Sequence, residues 1–510
     1  MTHVIVIGGG AAGLVAARTL AASGVPVTVL EAAAALGGSV GRHEVAGLAL
    51  DAGAESFATR GGAVVALVDA LGLADRVEWP NAAGAWLHLR DRTVPAPKGG
   101  LWGIPPDPLA PDVVAAIGDE AAQRAQRDLS EPLPPGFAPA TLGELVRERM
   151  GAAVLDGLVS PVATGVYSTP ADDLTVDAIA PGLRAALQRT GSLARAVREL
   201  RGAAQSTRPG AAAGGLRGGM ATLIAALADD IRARGGRTCP RARVTGLVRR
   251  HDGWDVHIAG NAPDPDAPAS AAGDAQASRP ERVPRRSDAA AEVLHADAVV
   301  VATAQPDAVR LVAAAAHVAL TGLDWPAPTR VDLATLVLDA PALDAAPRGT
   351  GLLVAADAHD AGRGHPAVAA KALTHATAKW AWLAAQAGAG RHVVRLSYGP
   401  TGAGDPAAGI GDDALRDLAL TDAAILLGVP LDARQVVGFA HARAANAVSL
   451  AARGQSGRVH AVREAVAGVP GLEVTGAWVA GTGLASVVPD AQAAASRIVA
   501  ELAGPALPRP

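Results

Sequence analysis

The 510-residue chain contains a single cysteine, Cys239, so it can form no internal disulfide, no Cys-x-x-Cys pair and no cysteine metal cage. Aromatic residues make up only 3% of the sequence, which leaves no ladder of rings on which nucleic-acid bases could stack. Charged residues make up 18% and the net charge is −4, so nothing in the charge pattern predicts a nucleic-acid partner. The thirteen histidines show no ligand-like spacing, and we predict no metal site.

Long hydrophobic runs are also missing. No stretch of about twenty uninterrupted apolar residues occurs, so no membrane-spanning helix is expected. The apolar run at the amino terminus has no basic leader and is broken by glycines, which predicts a sheet strand rather than a targeting signal. We therefore expect a cytoplasmic protein that is soluble or at most peripheral at a membrane, with two or three domains.

The amino terminus carries a nucleotide-binding pattern. A predicted strand, Val4 to Ile7, runs directly into a glycine-rich turn, and a second strand, Val27 to Leu30, delivers Glu31. Glycines allow backbone N–H groups at a helix N-terminus to approach a pyrophosphate, and the acid accepts hydrogen bonds from a ribose 2′-OH. The alternative is a chance glycine cluster, which strand, helix and acid in this order disfavour. The predicted contacts are Gly8, Gly10, Ala11, Ala12, Gly13 and Glu31.

A second set of small residues favours FAD as the dinucleotide. Gly37 and Gly38 follow the acid, and the segment Gly53, Ala54, Glu55 and Ser56 comes after a predicted short strand, Glu44 to Leu50. In FAD enzymes of the amine-oxidase type, such a Gly-Gly pair wraps the flavin pyrophosphate from its second side. Taken alone, Gly37 and Gly38 could equally form an ordinary turn. We add these six residues to the predicted cofactor contacts.

The remaining pattern predicts an α/β fold with a Rossmann-like FAD-binding domain, a mixed-sheet substrate domain and a helical insertion. The FAD-binding domain is discontinuous (1–75, 212–310 and 465–505), the helical domain spans 80–210, and the substrate-binding domain spans 311–464. Residues 261–291 are rich in Pro, Ala, Ser, Asp and Arg without apolar periodicity, and we interpret them as a disordered hairpin insertion.

Further cofactor contacts are predicted in the later parts of the FAD-binding domain. Val244 lies in the first of two strands predicted around the turn at Asp252 and Gly253, and Ala302 ends a strongly apolar strand. Near the carboxyl terminus, a glycine turn precedes a helix predicted from Pro489. A late helix N-terminus suits the ribityl and pyrophosphate oxygens of a flavin. We therefore include Val244, Ala302, Ser486, Val487 and Val488 among the predicted contacts.

Four segments resemble the protoporphyrinogen/coproporphyrinogen oxidase family of haem synthesis. They are residues 53–57 (Gly-Ala-Glu-Ser-Phe), 97–105 (Pro-Lys-Gly-Gly-Leu-Trp-Gly-Ile-Pro), 158–167 (Leu-Val-Ser-Pro-Val-Ala-Thr-Gly-Val-Tyr), and 371–374 with 378–380 (Lys-Ala-Leu-Thr and Ala-Lys-Trp). The chain departs from the family pattern at three places. Its late Pro-Gln-Tyr-type segment is reduced to Ala444–Asn446, its terminal glycine turn is longer, and an arginine of the first hairpin is replaced near Ala85 and Trp86.

The resemblance implies a porphyrinogen substrate, FAD and O₂. Three two-electron hydride transfers to the flavin would yield a porphyrin, with H₂O₂ formed on each reoxidation. Hydride transfer to flavin needs no protein nucleophile, in agreement with the absence of a recognisable Ser/His/Asp or Cys/His constellation. The sequence does not name the base for the proton movements between rounds, so we assign no catalytic acid or base.

Four residues are candidates for substrate contact, each with an alternative interpretation. Arg60 and Lys98 could bind substrate carboxylates or be solvated surface charges. Gly165 could let backbone approach a flat ring or could cap a helix C-terminus. Lys379 lies near the isoalloxazine by the family resemblance, or is a surface neighbour of a buried Trp380.

The preferred substrate is coproporphyrinogen III, with protoporphyrinogen IX as the runner-up. The rivals from other classes are an FAD amine oxidase or desaturase and a catalytically idle flavin-binding protein. A stripe of arginines between Leu183 and Arg201 indicates either a basic membrane-surface helix or a solvated face on a packed helix. Hand-over of the porphyrin to a ferrochelatase is a further expectation from the family.

Overall fold

The computed structural model describes residues 2–204, 213–259, 292–318, 320–326, 329–359, 367–400, 404–446 and 449–504. The predicted disordered hairpin insertion at 261–291 lies outside these residues. Among the described residues, no helix combines the length and the apolar character needed to cross a bilayer.

Twenty strands occur in the described parts of the chain. In chain order they are β1 (Val4–Ile7), β2 (Val27–Leu30), β3 (Arg42–Val45), β4 (Leu48–Asp51), β5 (Phe57–Ala58), β6 (Val77–Glu78), β7 (Trp86–His88), β8 (Thr93–Pro95), β9 (Ala213–Leu216), β10 (Arg237–Cys239), β11 (Val244–Arg250), β12 (Gly253–Ile258), β13 (Glu292–Ala296), β14 (Ala298–Val301), β15 (Thr329–Asp339), β16 (Gly351–Val354), β17 (Ala372–His375), β18 (Arg391–Tyr398), β19 (Val436–Asn446) and β20 (Leu472–Val474).

The same residues form eighteen α-helices. They are α1 (Ala11–Ala22), α2 (Ala63–Ala70), α3 (Pro111–Ile117), α4 (Asp119–Gln126), α5 (Leu142–Met150), α6 (Ala152–Val154), α7 (Ser160–Tyr167), α8 (Val176–Ile179), α9 (Leu183–Thr190), α10 (Leu193–Ala204), α11 (Ala221–Ala233), α12 (Gln305–Ala316), α13 (Ala376–Lys379), α14 (Ala381–Ala387), α15 (Asp412–Leu427), α16 (Gln455–Ala467), α17 (Ala477–Ala480) and α18 (Leu484–Leu502).

A five-stranded parallel sheet forms the centre of the nucleotide-binding part, in the order β10-β2-β1-β14-β20. Its central strands β1 and β14 are apolar and buried at every position, as expected for strands covered on both faces. Helices α1, α11 and α18 pack on one face, while the three-stranded sheet β11-β12-β13 and α12 cover the other. The predicted Rossmann-like, discontinuous α/β fold is therefore confirmed.

The second large sheet has seven strands in the order β19-β15-β18-β17-β16-β7-β8. Its neighbouring strands are antiparallel except β16 and β7, which pair in parallel, so the predicted mixed sheet is confirmed. Helix α15 packs against one face. The hairpin of β7 and β8 extends the edge of this sheet with alternating residues, although it lies within 80–210, the span assigned from the sequence to the helical domain.

Helices α3 to α10 form the helical body around a core of their own. A capping box starts α5, where the side chains of Thr141 and Glu144 each accept a hydrogen bond from the other's backbone N–H. At the centre of this body the carboxylate of Asp128, which is fully buried, accepts a hydrogen bond of 2.7 Å from Nε of Arg149. Asp128 also accepts from the backbone N–H groups of Leu193 and Ala194 and so caps α10.

Two predicted elements are wrong in detail. The segment predicted as one strand, Glu44 to Leu50, is the hairpin of β3 and β4, because Ala46 and Gly47 adopt positive φ angles of 50° and 76° and reverse the chain. The last helix begins at Leu484 rather than Pro489, so the proline lies inside α18. Pro489 lacks an N–H and was interpreted as a helix start, yet the apolar residues before it continue the helical face.

Candidate active site

The glycine-rich turn between β1 and α1 is built for close backbone approach. Gly8 has a φ angle of 106°, and a Cβ added there would lie 2.6 Å from the carbonyl oxygen of Ala302. A Cβ on Gly13 would lie 1.9 Å from the carbonyl oxygen of Gly8. By contrast, a Cβ on Gly10 would meet only the carbonyl oxygen of Gly37, at 4.0 Å. Glycine is therefore needed inside the turn at Gly8 and Gly13, while Gly10 faces the space that a cofactor would use.

Helix α1 begins beside this space with its first-turn N–H groups, including those of Ala11 and Ala12, lacking intrahelical partners. Gly10 precedes the helix and supplies no side-chain cap. Uncapped N–H groups at a helix N-terminus form an anion site, which a pyrophosphate would satisfy. These donors and the open side of Gly10 fit a dinucleotide.

The carboxylate of Glu31 lies against the same turn. Its Oε2 accepts a hydrogen bond of 2.6 Å from the backbone N–H of Gly9, and its Oε1 accepts one of 2.7 Å from the N–H of Ala33. These bonds hold the carboxylate at the end of β2, where the sequence predicts it to bind the ribose. The structure thus brings Glu31 and the glycine turn together.

The second predicted segment also contacts the first. The N–H of Gly37 donates to the carbonyl oxygen of Gly9 over 2.9 Å, and a Cβ on Gly38 would approach Cα of Gly10 to 3.5 Å. At Gly53 an added Cβ would lie 2.1 Å from the carbonyl oxygen of Ser39. Backbone from three parts of the chain therefore meets without intervening side chains, as a cradle for an extended cofactor requires.

The later predicted contacts lie in different surroundings. Ala302 follows β14 directly and packs against the glycine turn, with its N–H donating to the carbonyl oxygen of Ile7. Val244 is buried at the start of β11. Ser486 is in the first turn of α18, but Val487 and Val488 have buried side chains, and the N–H of Val487 donates to the carbonyl oxygen of Gly483. Because α18 starts at Leu484, the N–H groups without intrahelical partners are those of Leu484 and Ala485, whereas the N–H of Ser486 donates to the carbonyl oxygen of Gly483.

Glu55 joins the flavin segment to the seven-stranded sheet. Its carboxylate forms a short ion pair with Nζ of Lys379 and a second pair, of 3.1 Å, with the guanidinium of Arg395 in β18. Arg395 also donates to the carbonyl oxygens of Gly53 over 2.6 Å and of Asp51 over 3.3 Å. A cation from the sheet, Arg395, and one from α13, Lys379, thus hold residues 51–55 in place.

Burial and charge act oppositely on the two carboxylates of this junction. Burial alone would raise the pKa of Glu55, but the positive charges of Arg395 and Lys379 outweigh it and hold the pKa below its usual range. Burial raises the pKa of Asp51 to about 6, the N–H of Met220 opposes this rise, and the charge of Glu55 adds to it. Glu55 is therefore an anion at neutral pH, while Asp51 changes charge near pH 6.

The other candidate substrate residues are not part of this junction. Arg60 and Lys98 have exposed side chains that form no ion pair within the described residues. Gly165 lies inside α7, and Ser168 caps that helix, so the predicted alternative of a C-cap glycine is wrong. A Cβ on Gly165 would approach Cδ2 of Leu353 in β16 to 2.6 Å, so close helix–strand packing explains this glycine.

The arginine stripe on α9 and α10 makes contacts within the protein. Arg198 donates to the carbonyl oxygen of Pro106 over 2.7 Å, and Arg201 donates to that of Gly100 over 2.8 Å. Both acceptors belong to the loop of residues 97–106, which is rich in glycine and proline and carries Lys98. These arginines therefore hold the loop in place.

Arg395 is the residue that the sequence interpretation missed. It lies in a strand of ordinary alternating pattern, 342 residues after Gly53 in the sequence. The only signal in the sequence that could have identified it is a charged residue between two buried apolar ones, Val394 and Leu396. Among the described residues, no three His, Cys, Asp or Glu side chains group as a metal site.

Comparison with solved structures shows which class of fold the chain has. A solved structure from Exiguobacterium sp. 255-15, described as "Putative protoporphyrinogen oxidase", superposes with a TM-score of 0.77 at 24% identity, covering 98% of this chain and 99% of the other. Reduced UDP-galactopyranose mutase superposes with a TM-score of 0.65 at 13% identity, covering 98% and 94%. The chain therefore shares the fold of both proteins, and the match to the flavin containing family reported next confirms the predicted FAD cofactor.

The family model for flavin containing amine oxidoreductases matches residues 11–502. The chain belongs to this family and is an oxidoreductase. Coproporphyrinogen III oxidase of Mycobacterium tuberculosis (strain ATCC 25618 / H37Rv) is 28% identical over 510 residues, covering 98% of this chain and 97% of the relative. The enzyme of that name from Bacillus subtilis (strain 168) is 31% identical over 207 residues, covering 39% and 44%. These relatives confirm the resemblance noted in the sequence.

Proposed function

We propose that the protein oxidises coproporphyrinogen III to coproporphyrin III with O₂ as the electron acceptor. The observation that carries the proposal is the end-to-end similarity to the mycobacterial coproporphyrinogen III oxidase, which includes both the cofactor cradle and the seven-stranded sheet. When bound, FAD would supply the hydride acceptor for the bridging carbons and the route of the electrons to O₂. Overall, one porphyrinogen and three O₂ would give one porphyrin and three H₂O₂, because each reoxidation takes up one proton and so balances the three protons that the substrate releases.

The residues of the chain would bind the cofactor and the substrate, orient them towards each other and exclude water. The helix N-termini at Ala11 and Leu484 would bind the cofactor phosphates and ribityl oxygens, and Glu31 would bind the ribose. Lys379, held by Glu55, would lie at the flavin side of the sheet and keep that side of the site positive. Arg60 and Lys98, whose side chains are exposed, would reach the propionates of the substrate.

Protoporphyrinogen IX is the second candidate, favoured by the superposition on the Exiguobacterium structure. The two substrates differ in two ring substituents, which are propionates in one and vinyl groups in the other. The exposed cations Arg60 and Lys98 favour the more anionic coproporphyrinogen III.

Porphyrin fluorescence would test the proposal. FAD-loaded protein is incubated with each porphyrinogen in air and under anaerobic conditions, and H₂O₂ is measured in parallel. We expect rapid formation of coproporphyrin in air with three H₂O₂ per porphyrin, and slower formation of protoporphyrin. No fluorescence above autoxidation with either substrate would overturn the proposal, and turnover of an amine instead would support the amine-oxidase alternative. Substitution of Lys98 and Arg60 by Gln should raise the KM for coproporphyrinogen III more than that for protoporphyrinogen IX.

A further inference from the structure

Helix α13 lies between two cavities. On the side of the flavin segment, a cavity of about 30 Å³ is lined by Asp51, Glu55 and Arg395, by Ala376 at the start of α13 and by Trp380 directly after it. On the other side, a cavity of about 370 Å³ is lined by residues that include Thr377 and Ala378. Ala376 and Trp380 pack in a buried apolar cluster, whereas the side of Thr377 borders the larger cavity. Polar contacts therefore hold α13 on the side of Thr377.

Four polar contacts connect α13 to the rest of the protein. Lys379 forms its ion pair with Glu55 through the side chain, and its carbonyl oxygen accepts from the N–H of Asn81 over 2.9 Å. At the other end, the hydroxyl oxygen of Thr377 accepts from the N–H of Val393 over 3.2 Å and lies 3.3 Å from Nδ1 of His392. Thr377 is the anchor on the side of α13 away from the flavin segment.

Neighbouring polar groups hold the ring of His392. Its Nε2 lies 3.0 Å from Oδ1 of Asp344, which accepts a hydrogen bond from it. Its Nδ1 lies 3.0 Å from Nε2 of His375 and 3.3 Å from the hydroxyl oxygen of Thr377. Both histidines are buried, so these contacts connect Asp344 to Thr377 through the interior of the protein.

We propose that Asp344, His392 and Thr377 are positioning residues that hold α13 so that Lys379 meets Glu55, and that this chain is one control on how tightly FAD is kept. The inference rests on the proposed place of Lys379 beside the flavin. Thr377 and Lys379 are two residues apart on a helix of four residues, so a displacement at one end is transmitted directly to the other.

The rate of FAD release, followed by the rise in flavin fluorescence, tests the inference without use of substrate. Thr377→Val removes the hydroxyl at nearly constant shape and should release FAD about five-fold faster than wild type, as one buried hydrogen bond predicts. Thr377→Ser keeps the hydroxyl and should restore the wild-type rate.

Two further variants keep the test decisive. Asp344 is 56% exposed at its side chain, so Asp344→Asn should fold, and it should speed FAD release by weakening the hold on the ring of His392. Lys379→Met reports the proposed role of Lys379 independently. If Lys379→Met accelerates release but Thr377→Val and Asp344→Asn leave the rate unchanged, the positioning role is wrong. If Lys379→Met itself has no effect, the proposed place of Lys379 is wrong.

Discussion

The guanidinium of Arg395 donates to the carbonyl oxygen of Gly53 over 2.6 Å, and this bond joins the seven-stranded sheet to the flavin segment. The same guanidinium pairs with Glu55, which Lys379 also contacts. A carboxylate and two backbone carbonyls of the cofactor-binding part are thereby held by side chains of the other sheet. Cofactor retention should accordingly depend on residues outside the nucleotide-binding fold.

Replacing Arg395 should weaken FAD binding. Arg395→Met removes charged hydrogen bonds to Gly53 and Glu55, each worth roughly 1.5–3 kcal/mol, and we expect the Kd for FAD to rise at least about ten-fold. Equilibrium dialysis or fluorescence titration of the apoprotein measures the change. Arg395→Lys keeps the positive charge but loses the paired N–H groups of the guanidinium, so its Kd for FAD should lie between those of wild type and Arg395→Met. Equal affinity of Arg395→Met and wild type would contradict the assignment.

Gly10 and Gly13 should respond differently to alanine. Gly13→Ala places a Cβ where only 1.9 Å separates it from a carbonyl oxygen, so the turn must shift, and we expect a loss of roughly 1–3 kcal/mol in the free energy of unfolding of the apoprotein. Gly10→Ala has space and should leave the apoprotein stable while lowering FAD occupancy. Denaturant unfolding combined with the flavin-to-protein absorbance ratio separates the two effects. Identical behaviour of the two variants would show that the turn is not shaped as described.

Glu31 should decide whether the protein retains the adenosine end of FAD. Glu31→Lys places a cation where the carboxylate accepts from Gly9 and Ala33, and purified protein should be colourless. Glu31→Gln retains an amide oxygen as acceptor and should keep part of the flavin. Full flavin occupancy in the lysine variant would refute the ribose role.

The buried pair of Asp128 and Arg149 should be the most sensitive point of the helical body. Asp128→Ala leaves a buried guanidinium without its carboxylate and uncaps α10, and we expect a loss of roughly 3–5 kcal/mol in unfolding free energy. The exposed pair of Asp91 and Arg92 provides a control, since its removal should cost about 1 kcal/mol or less. Chemical denaturation of the variants measures both. Comparable losses at the two pairs would exclude the structural role given to Asp128.

His375 should make stability depend on pH. Because burial lowers the folded-state pKa to about 4 from 6.5, the unfolded chain takes up a proton that the folded protein refuses, and stability falls as the pH drops from about 6.5 to about 4. The difference corresponds to about 3 kcal/mol. Relative to wild type, His375→Gln should therefore gain about this amount between pH 7 and pH 4, as measured by denaturant unfolding at each pH. A pH-independent difference would mean that His375 titrates normally.

Much of the cofactor site could be predicted from local pattern. The glycine turn, Glu31 and the segments at Gly37 and Gly53 are short-range features whose backbone requirements show directly in residue type. The family resemblance supplied FAD and Lys379. The start of α18 was predicted too late because a proline within a helix and a proline at its first turn look alike in sequence.

The sequence by itself determined the parallel nucleotide-binding sheet, the class of cofactor and the mixed second sheet, because these follow from residue periodicity and from glycines that only one backbone geometry explains. Only the tertiary structure decided which cations face Glu55, that Gly165 serves packing against Leu353, and that His375, His392 and Asp344 form one chain. Those relationships join residues far apart in sequence. They depend on strand register and side-chain direction, which no local pattern specifies.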